Sequence, residues 1–177
     1  GHFPFVAVEL LGMDLTTITI LRDPVERTLS YLRHCKRHHD QHRDLPLEEI
    51  YEDPFFFPCF IENHQAKQFA LTVDDRPQSY MDVLEVDGPR LELAKANLAT
   101  VDVIGLRERF DDLLEELHHR FRWTSAAVKD RNVSRGEEGG VPPSFRRRIA
   151  ADNAADMEFY EFARDLCEQR RPTAVGR

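Results

Sequence analysis

Residues 16–31 constrain this chain more than any other stretch. Thr16-Thr17-Ile18-Thr19-Ile20-Leu21 is short, β-branched and apolar, and Arg22-Asp23-Pro24 interrupts it before Val25, Leu29 and Leu32 recur at helical spacing. The apolar run over 15–21 reads as a strand buried on both faces. Asp23 is placed to cap the following helix, Pro24 falls at the first helical position, where a missing N–H costs nothing, and Glu26 stands three residues after the cap. A strand that turns directly into a helix puts Arg22 at the strand's carboxyl end, beside a helix N-terminus. In open α/β sheets ligands bind there, and the free N–H groups favour anions. A guanidinium adds a planar, permanently charged fork that matches phosphate oxygens. Ser30, two turns into the helix, can add a hydroxyl. Arg22 and Ser30 are therefore the candidate ligands of an anionic group. An ordinary Arg–carboxylate pair and a plain helix serine are the structural alternative.

The 177 residues suffice for one domain with a proper core, taken as 1–177. A net charge of −8 argues against nonspecific nucleic-acid or acidic-membrane binding, so an anionic ligand needs a local basic pocket. Cys35, Cys59 and Cys167 are far apart, show no metal-ligand spacing and read as free thiols in a reducing compartment. The sequence contains no 18-residue apolar run, and no transmembrane segment is expected. The Arg- and Ala-rich composition suggests a bacterial cytoplasmic protein, with the Golgi lumen as the alternative for a eukaryotic fragment. No Gly-x-x-x-x-Gly-Lys-[Ser/Thr] segment occurs, and Gly1 to Phe5 already looks like ordered sequence. The chain is accordingly expected to be a fragment of an α/β fold whose first strand, phosphate loop and helix lie upstream.

The remaining periodicities predict a short helix over 45–51, a Pro- and Phe-rich connector over 53–60, and a helix over 60–71. A helix follows over 89–99 with Leu91, Ala94 and Leu98 inward, then a second buried strand over 101–106. Residues 107–121 form an amphipathic helix with Phe110, Leu113, Leu114 and Leu117 inward. Ser144 caps a helix reaching residue 151, and a last helix spans 154–170 with Met157, Tyr160, Phe162, Ala163 and Leu166 inward. Residues 129–143 read as a charged, flexible loop. Two strand–helix units among many helices imply a mostly parallel sheet flanked by helices.

Several residues tempt a sharper reading. His34, His38 and His42 recur one turn apart, as metal ligands on a helix would, but no cysteine follows at ligand spacing and Lys36, Arg37 and Arg43 oppose a cation. The cluster is read as a solvated helix end after the first helix, and no metal site is expected. Arg146-Arg147-Arg148 reads as a solvated helix face that could attract an anionic glycan. Trp123 reads as core or packed loop.

The Arg22-Asp23-Pro24 segment resembles the motif with which sulfotransferases grip the 3′-phosphate of the sulfate donor PAPS. Other blocks, in order, resemble the carbohydrate-type sulfotransferases, most closely the heparan sulfate 2-O-sulfotransferase-like and bacterial members. These are Gly1-His2-Phe3-Pro4-Phe5, similar to a His-containing strand entry; Phe60 to Gln68, similar to an Asn-x-Gln helix; Val103-Ile104-Gly105-Leu106-Arg107-Glu108-Arg109-Phe110; Asn132-Val133-Ser134; and Asn153 to Tyr160. The resemblance implies a P-loop-like sulfotransferase fold and sulfuryl transfer from PAPS to an acceptor hydroxyl, a glycan or glycolipid among the candidates, with PAP as product and no metal. It implies that Arg22 and Ser30 bind the 3′-phosphate and that His2 is the general base, with an ordinary strand-edge histidine as the alternative. Residues 131–135, Arg131 and Ser134 among them, read as a loop that closes over the nucleotide, with simple disorder as the alternative. It leaves Asn63, Gln65 and Lys67 facing the acceptor, with a polar helix surface as the alternative. The family's 5′-phosphosulfate loop, with its lysine, matches nothing in this sequence. A nonenzymatic nucleotide- or anion-binding module of the same fold therefore stands beside the enzyme. A kinase-like phosphoryl transferase is a weaker option, since no Walker-type lysine or metal-binding acid is present.

Overall fold

The computed structural model describes residues 3–75, 84–123 and 140–170. The fold is mixed α/β. Strands β1 (Ile18–Leu21) and β2 (Val103–Leu106) pair in parallel, Ile18 opposite Val103 and Leu21 opposite Leu106. Among the described residues the helices are α1 (Ala7–Leu11), α2 (Pro24–His38), α3 (Leu47–Tyr51), α4 (His64–Ala70), α5 (Gly88–Ala99), α6 (Phe110–Phe121), α7 (Pro143–Asp152) and α8 (Ala154–Arg170). The parallel pairing requires a crossover, and α2 through α5 supply it.

Helix α2 forms as its sequence dictates. The Asp23 side chain accepts from the Glu26 N–H at 3.0 Å, Pro24 opens the helix, and Lys36 and Arg37 occupy the last turn, where their charge is favourable at the negative end of the helix dipole. Its apolar stripe of Val25, Leu29, Leu32 and Cys35 is buried with Ile50, Tyr51, Phe56, Ile61, Phe145 and Ile149. Each fully buried leucine there contributes roughly 1.5–3 kcal/mol. A second cluster joins Leu21, Ile104 and Leu106 to Phe69, Leu91, Leu98, Phe159 and Ala163, so both strands end against α4, α5 and α8.

Strand β2 is buried throughout, as expected, but β1 is not. Ile18 and Ile20 are 38% and 49% exposed, which corrects the reading of a strand buried on both faces. Helices α6 and α8 cover β2, whereas no described element covers the β1 face that carries Ile18 and Ile20. A composition suited to full burial does not say what supplies the cover.

Helix α6 lies against β2 at Gly105, where an added Cβ would stand 2.6 Å from Leu113 Cδ2. Gly105→Ala is therefore expected to destabilise the fold by about 1–3 kcal/mol through overpacking. Leu113→Ala in the same chain should relieve part of that penalty. Urea midpoints of the two single variants and the double variant check this, and strict additivity would contradict it.

The segment after α4 is pinned by a carboxylate. Asp75 accepts from Arg90 Nη1 and Nη2 at 2.6 and 2.7 Å and from the Thr72 N–H and hydroxyl. The Arg90 hydrogen bonds hold its pKa down at about 2. A carboxyl whose folded pKa is depressed adds stability above its unfolded pKa of about 3.9 and loses it as pH falls through the folded value. Wild type should thus lose stability between about pH 4 and pH 2 by a component that Asp75→Asn lacks. Urea unfolding of both proteins across that window measures the difference.

Several boundaries differ from expectation. Residues 3–11 form a turn and the short α1, not a strand entry, with the Phe5 N–H donating to the Gln68 carbonyl. The helix expected over 60–71 begins only at His64, because Phe57–Ile61 makes a π turn and Asn63 takes a left-handed φ of 47°. Residues 107–109 form a 3-10 turn before α6, and only Leu113 of its expected inward residues is fully buried. Ser144 caps nothing: Pro142 and Pro143 set the entry to α7, which places the serine inside the helix. Helix α2 runs on through His34 and His38, whose rings lie 4.3 Å apart, and His42 is buried against Phe56, so the histidines do not all sit at a solvated helix end. Trp123 packs on Phe121 yet stays 56% exposed. The loop expected over 129–143 lies, up to residue 139, outside the described residues.

Candidate functional site

The register places Leu21 beside Leu106, so the two strands end together. Arg22-Asp23 and Arg107-Glu108 are consequently adjacent exits from the sheet. Glu108 ties them to each other, accepting from the Asp23 N–H at 3.2 Å and from the Tyr160 hydroxyl at 2.7 Å. Burial and this bond to Glu108 push the Tyr160 phenol up and keep it protonated. Among the described residues the half-buried Arg22 makes no side-chain hydrogen bond or ion pair. A permanently charged fork at a strand's carboxyl end, beside the capped start of α2, can take a phosphate or sulfate group.

The Arg22 backbone is held from α4. Gln65 Oε1 accepts from the Arg22 N–H at 3.0 Å, and Gln65 Nε2 donates to the Arg22 carbonyl at 2.9 Å. Gln65 is in turn fixed by Asp156 of α8, whose carboxylate accepts from the Gln65 and Ala66 N–H groups at 3.1 and 2.7 Å. Asn63 returns the contact, its Oδ1 accepting from the Asp156 N–H at 3.1 Å, while the Asn63 N–H donates to Asn153 Oδ1 at 2.8 Å. The first turns of α4 and α8 thus cap one another, satisfying N–H groups that a helix cannot pair internally. Burial pushes the Asp156 carboxyl up, against the N–H groups of Ala66 and Gln65 and the charges of Arg27 and Lys67. Burial also lowers Arg27, which Asp156 supports and whose Nη1 donates to the Phe60 carbonyl.

Ser30 lies seven residues after Asp23 on the same side of α2. That column is flanked by Glu26, whose charge is taken by Arg146 of α7 at 2.7 Å. Arg148 reaches Glu52 at 2.6 Å and stands over the Tyr51 ring. Two of the three consecutive arginines therefore have acidic partners, while Arg147 is exposed. Lys67 is 7% exposed and donates to the Pro58 carbonyl and Glu62 at 3.0 and 3.1 Å.

The structure brings Arg22 and Gln65 together and places Asn63 one layer behind them, in the α4–α8 caps. Lys67 points instead into the π turn. His2, Arg131 and Ser134 lie outside the described residues. Asp156, Glu108 and Arg27 are the residues that sequence reasoning did not assign to the site. The pattern Asn153-x-x-Asp156 marks a helix start in the sequence, but not that it serves a second helix. A separate groove of about 1190 Å³ between β2, α6 and α8 is lined by Ile104, Leu113, Cys167 and Arg170, and includes neither Arg22 nor Ser30. No group of three or more potential metal ligands occurs among the described residues, and none of the described helices is long and apolar enough to cross a membrane.

Comparison with known proteins connects this geometry to a chemistry. The chain is 32% identical over 178 residues to heparan-sulfate 6-O-sulfotransferase 2 of Danio rerio, a match covering 86% of this chain and 38% of the relative. It is 29% identical over 179 residues to heparan-sulfate 6-O-sulfotransferase 1 of Homo sapiens, covering 86% of this chain and 43% of that protein. Human heparan-sulfate 6-O-sulfotransferase 3 matches at 28% over 182 residues. The chain spans about two fifths of the length of these curated relatives. No protein-family model matches, and no solved structure does. The homology supports a carbohydrate sulfotransferase family. These relatives carry the 6-O position in their names, where the motifs had pointed to the 2-O type.

Proposed function

Proceeding from that homology, we propose that the protein is a PAPS-dependent sulfotransferase that moves a sulfuryl group to a hydroxyl of a glycan, heparan sulfate being the first acceptor to try. The observation that carries this reading is the Arg22 guanidinium, without a partner among the described residues, at the carboxyl end of β1 and inside the segment that resembles the 3′-phosphate grip. In the reading, residues 1–177 belong to one sulfotransferase-like domain of P-loop type. Arg22 and Ser30 hold the 3′-phosphate, Arg131 and Ser134 contact the nucleotide, and His2 serves as base. The vertebrate origin of the relatives supports the eukaryotic reading, with the Golgi lumen as its compartment, over a bacterial cytoplasm.

The chemistry follows from these proposed roles. The acceptor oxygen attacks the sulfur of PAPS and forms a new S–O bond. The bond from sulfur to the 5′-phosphate oxygen breaks, and the electron pair leaves with adenosine 3′,5′-bisphosphate. The acceptor proton passes to the His2 imidazole, a step typically worth about 10²- to 10⁴-fold. Arg22 contributes by fixing the nucleotide, which sets the in-line approach. Asn63 and Lys67, held in the α4–α8 region, would shape the acceptor side through backbone position more than through their engaged side chains.

The test is transfer of radiolabelled sulfate from PAPS to desulfated heparan sulfate, with position assigned by disaccharide analysis. Label at glucosamine O6 is expected. Nucleotide binding without transfer to any hydroxyl acceptor would favour the nonenzymatic module instead.

A further inference from the structure

We propose that Gln65 is a positioning residue of the donor site: it clamps the backbone of Arg22 and so aims the guanidinium at the 3′-phosphate. The inference rests on the donor-site reading above. Arg22 is the single residue between the last position of β1 and the cap of α2. Its backbone N–H and carbonyl are therefore beyond the β1 ladder and ahead of the α2 ladder. Half-buried and unpaired, they would carry a desolvation penalty and leave the turn free to choose among conformations. The Gln65 carboxamide meets both groups at once, at 3.0 and 2.9 Å, as a neighbouring strand would. A carboxamide offers a donor and an acceptor side by side in one plane, and glutamine adds an extra methylene of reach to asparagine.

The clamp is itself rigid. Gln65 is 8% exposed, and its own N–H is held by Asp156, which is 1% exposed. A continuous path thus runs from the start of α8 through the first turn of α4 to the residue that meets the ligand. Gln65 does not touch the anion in this arrangement. Its effect on binding passes through the direction of Arg22.

The experiment is calorimetric titration of adenosine 3′,5′-bisphosphate and of 5′-AMP into wild type, Gln65→Met and Gln65→Glu. Gly105→Ala, which overpacks against Leu113 and breaks neither Gln65 hydrogen bond, serves as the destabilised variant. Methionine keeps the length and loses both hydrogen bonds, and glutamate keeps the acceptor but cannot donate to the Arg22 carbonyl. Both Gln65 variants should bind the bisphosphate about ten-fold or more weakly and lose most of its advantage over 5′-AMP. Gly105→Ala should keep the wild-type ratio of the two ligands. Hydrogen exchange at the Arg22 amide should accelerate in Gln65→Met. A folded Gln65→Met with the wild-type ratio would overturn the inference while leaving the donor site standing. If the methionine variant fails to fold, the same ratio in Gln65→Glu decides. Equal loss of selectivity in Gly105→Ala would reduce Gln65 to a general stability effect and also overturn it. Failure of wild type itself to prefer the bisphosphate would remove the donor-site reading, and this inference with it.

Discussion

Arg22→Ala is expected to weaken binding of adenosine 3′,5′-bisphosphate by roughly ten- to a hundred-fold and to leave binding of 5′-AMP nearly unchanged. The size follows from one charge-assisted contact worth about 1.5–3 kcal/mol, with each 1.4 kcal/mol a factor of about ten. The selectivity follows from the place of the residue. The guanidinium has no partner among the described residues, so its removal strands no buried carboxylate. Stability should accordingly stay within about 0.5 kcal/mol of wild type. The backbone of the turn remains clamped, since Gln65 bonds only main-chain atoms of residue 22. Arg22→Lys should recover part of the affinity, because a point charge attracts the phosphate but cannot present two parallel donors. Paired titrations with the bisphosphate and 5′-AMP measure all of this. An equal loss for both ligands would place Arg22 away from the 3′-phosphate.

Asp156→Ala is expected to cost about 3–5 kcal/mol of stability, the range for removing one partner of a buried charged group. Its carboxylate is 1% exposed and accepts from the Gln65 and Ala66 N–H groups. Without it both N–H groups are orphaned at the start of α4, and half-buried Arg27 loses its main opposing charge. A domain with about 5–15 kcal/mol of total stability surrenders a large part of it. Asp156→Asn keeps one acceptor but turns an NH₂ toward one of the two N–H groups, and should fall between wild type and alanine. Urea unfolding followed by circular dichroism gives the order. A midpoint for Asp156→Ala equal to wild type would mean that the α4–α8 caps are not rigid. Since Gln65 depends on Asp156, the alanine variant should also relax the Arg22 turn. Its effect on the bisphosphate is then expected to resemble that of Gln65→Met.

What could be read along the chain was what neighbouring residues decide. The turn Arg22-Asp23-Pro24 carries its own cap and its own φ restriction, and the stripe Val25, Leu29, Leu32 needs only helical periodicity to declare a buried face. The run at 103–106 could be read as a buried strand, and Leu91, Ala94 and Leu98 as the inner face of α5, for the same reason. Periodicity failed where polar residues satisfy distant backbone groups. Asn63, Gln65 and Lys67 look like a polar helix surface in sequence, yet two of the three are buried, because their partners lie at Arg22, Pro58 and Asp156. The left-handed Asn63 that delays α4 is likewise stabilised from Asn153 and Asp156, ninety or more residues onward.

The sequence by itself thus determined the strand–turn–helix that places Arg22 beside a helix N-terminus, because caps, proline and apolar spacing act within one or two turns of chain. Only the tertiary structure decided which polar residues face inward, that Gln65 grips the Arg22 backbone, and that β1 leaves Ile18 and Ile20 exposed. Those outcomes depend on which buried donors and acceptors meet across long separations, and no local pattern encodes the partner.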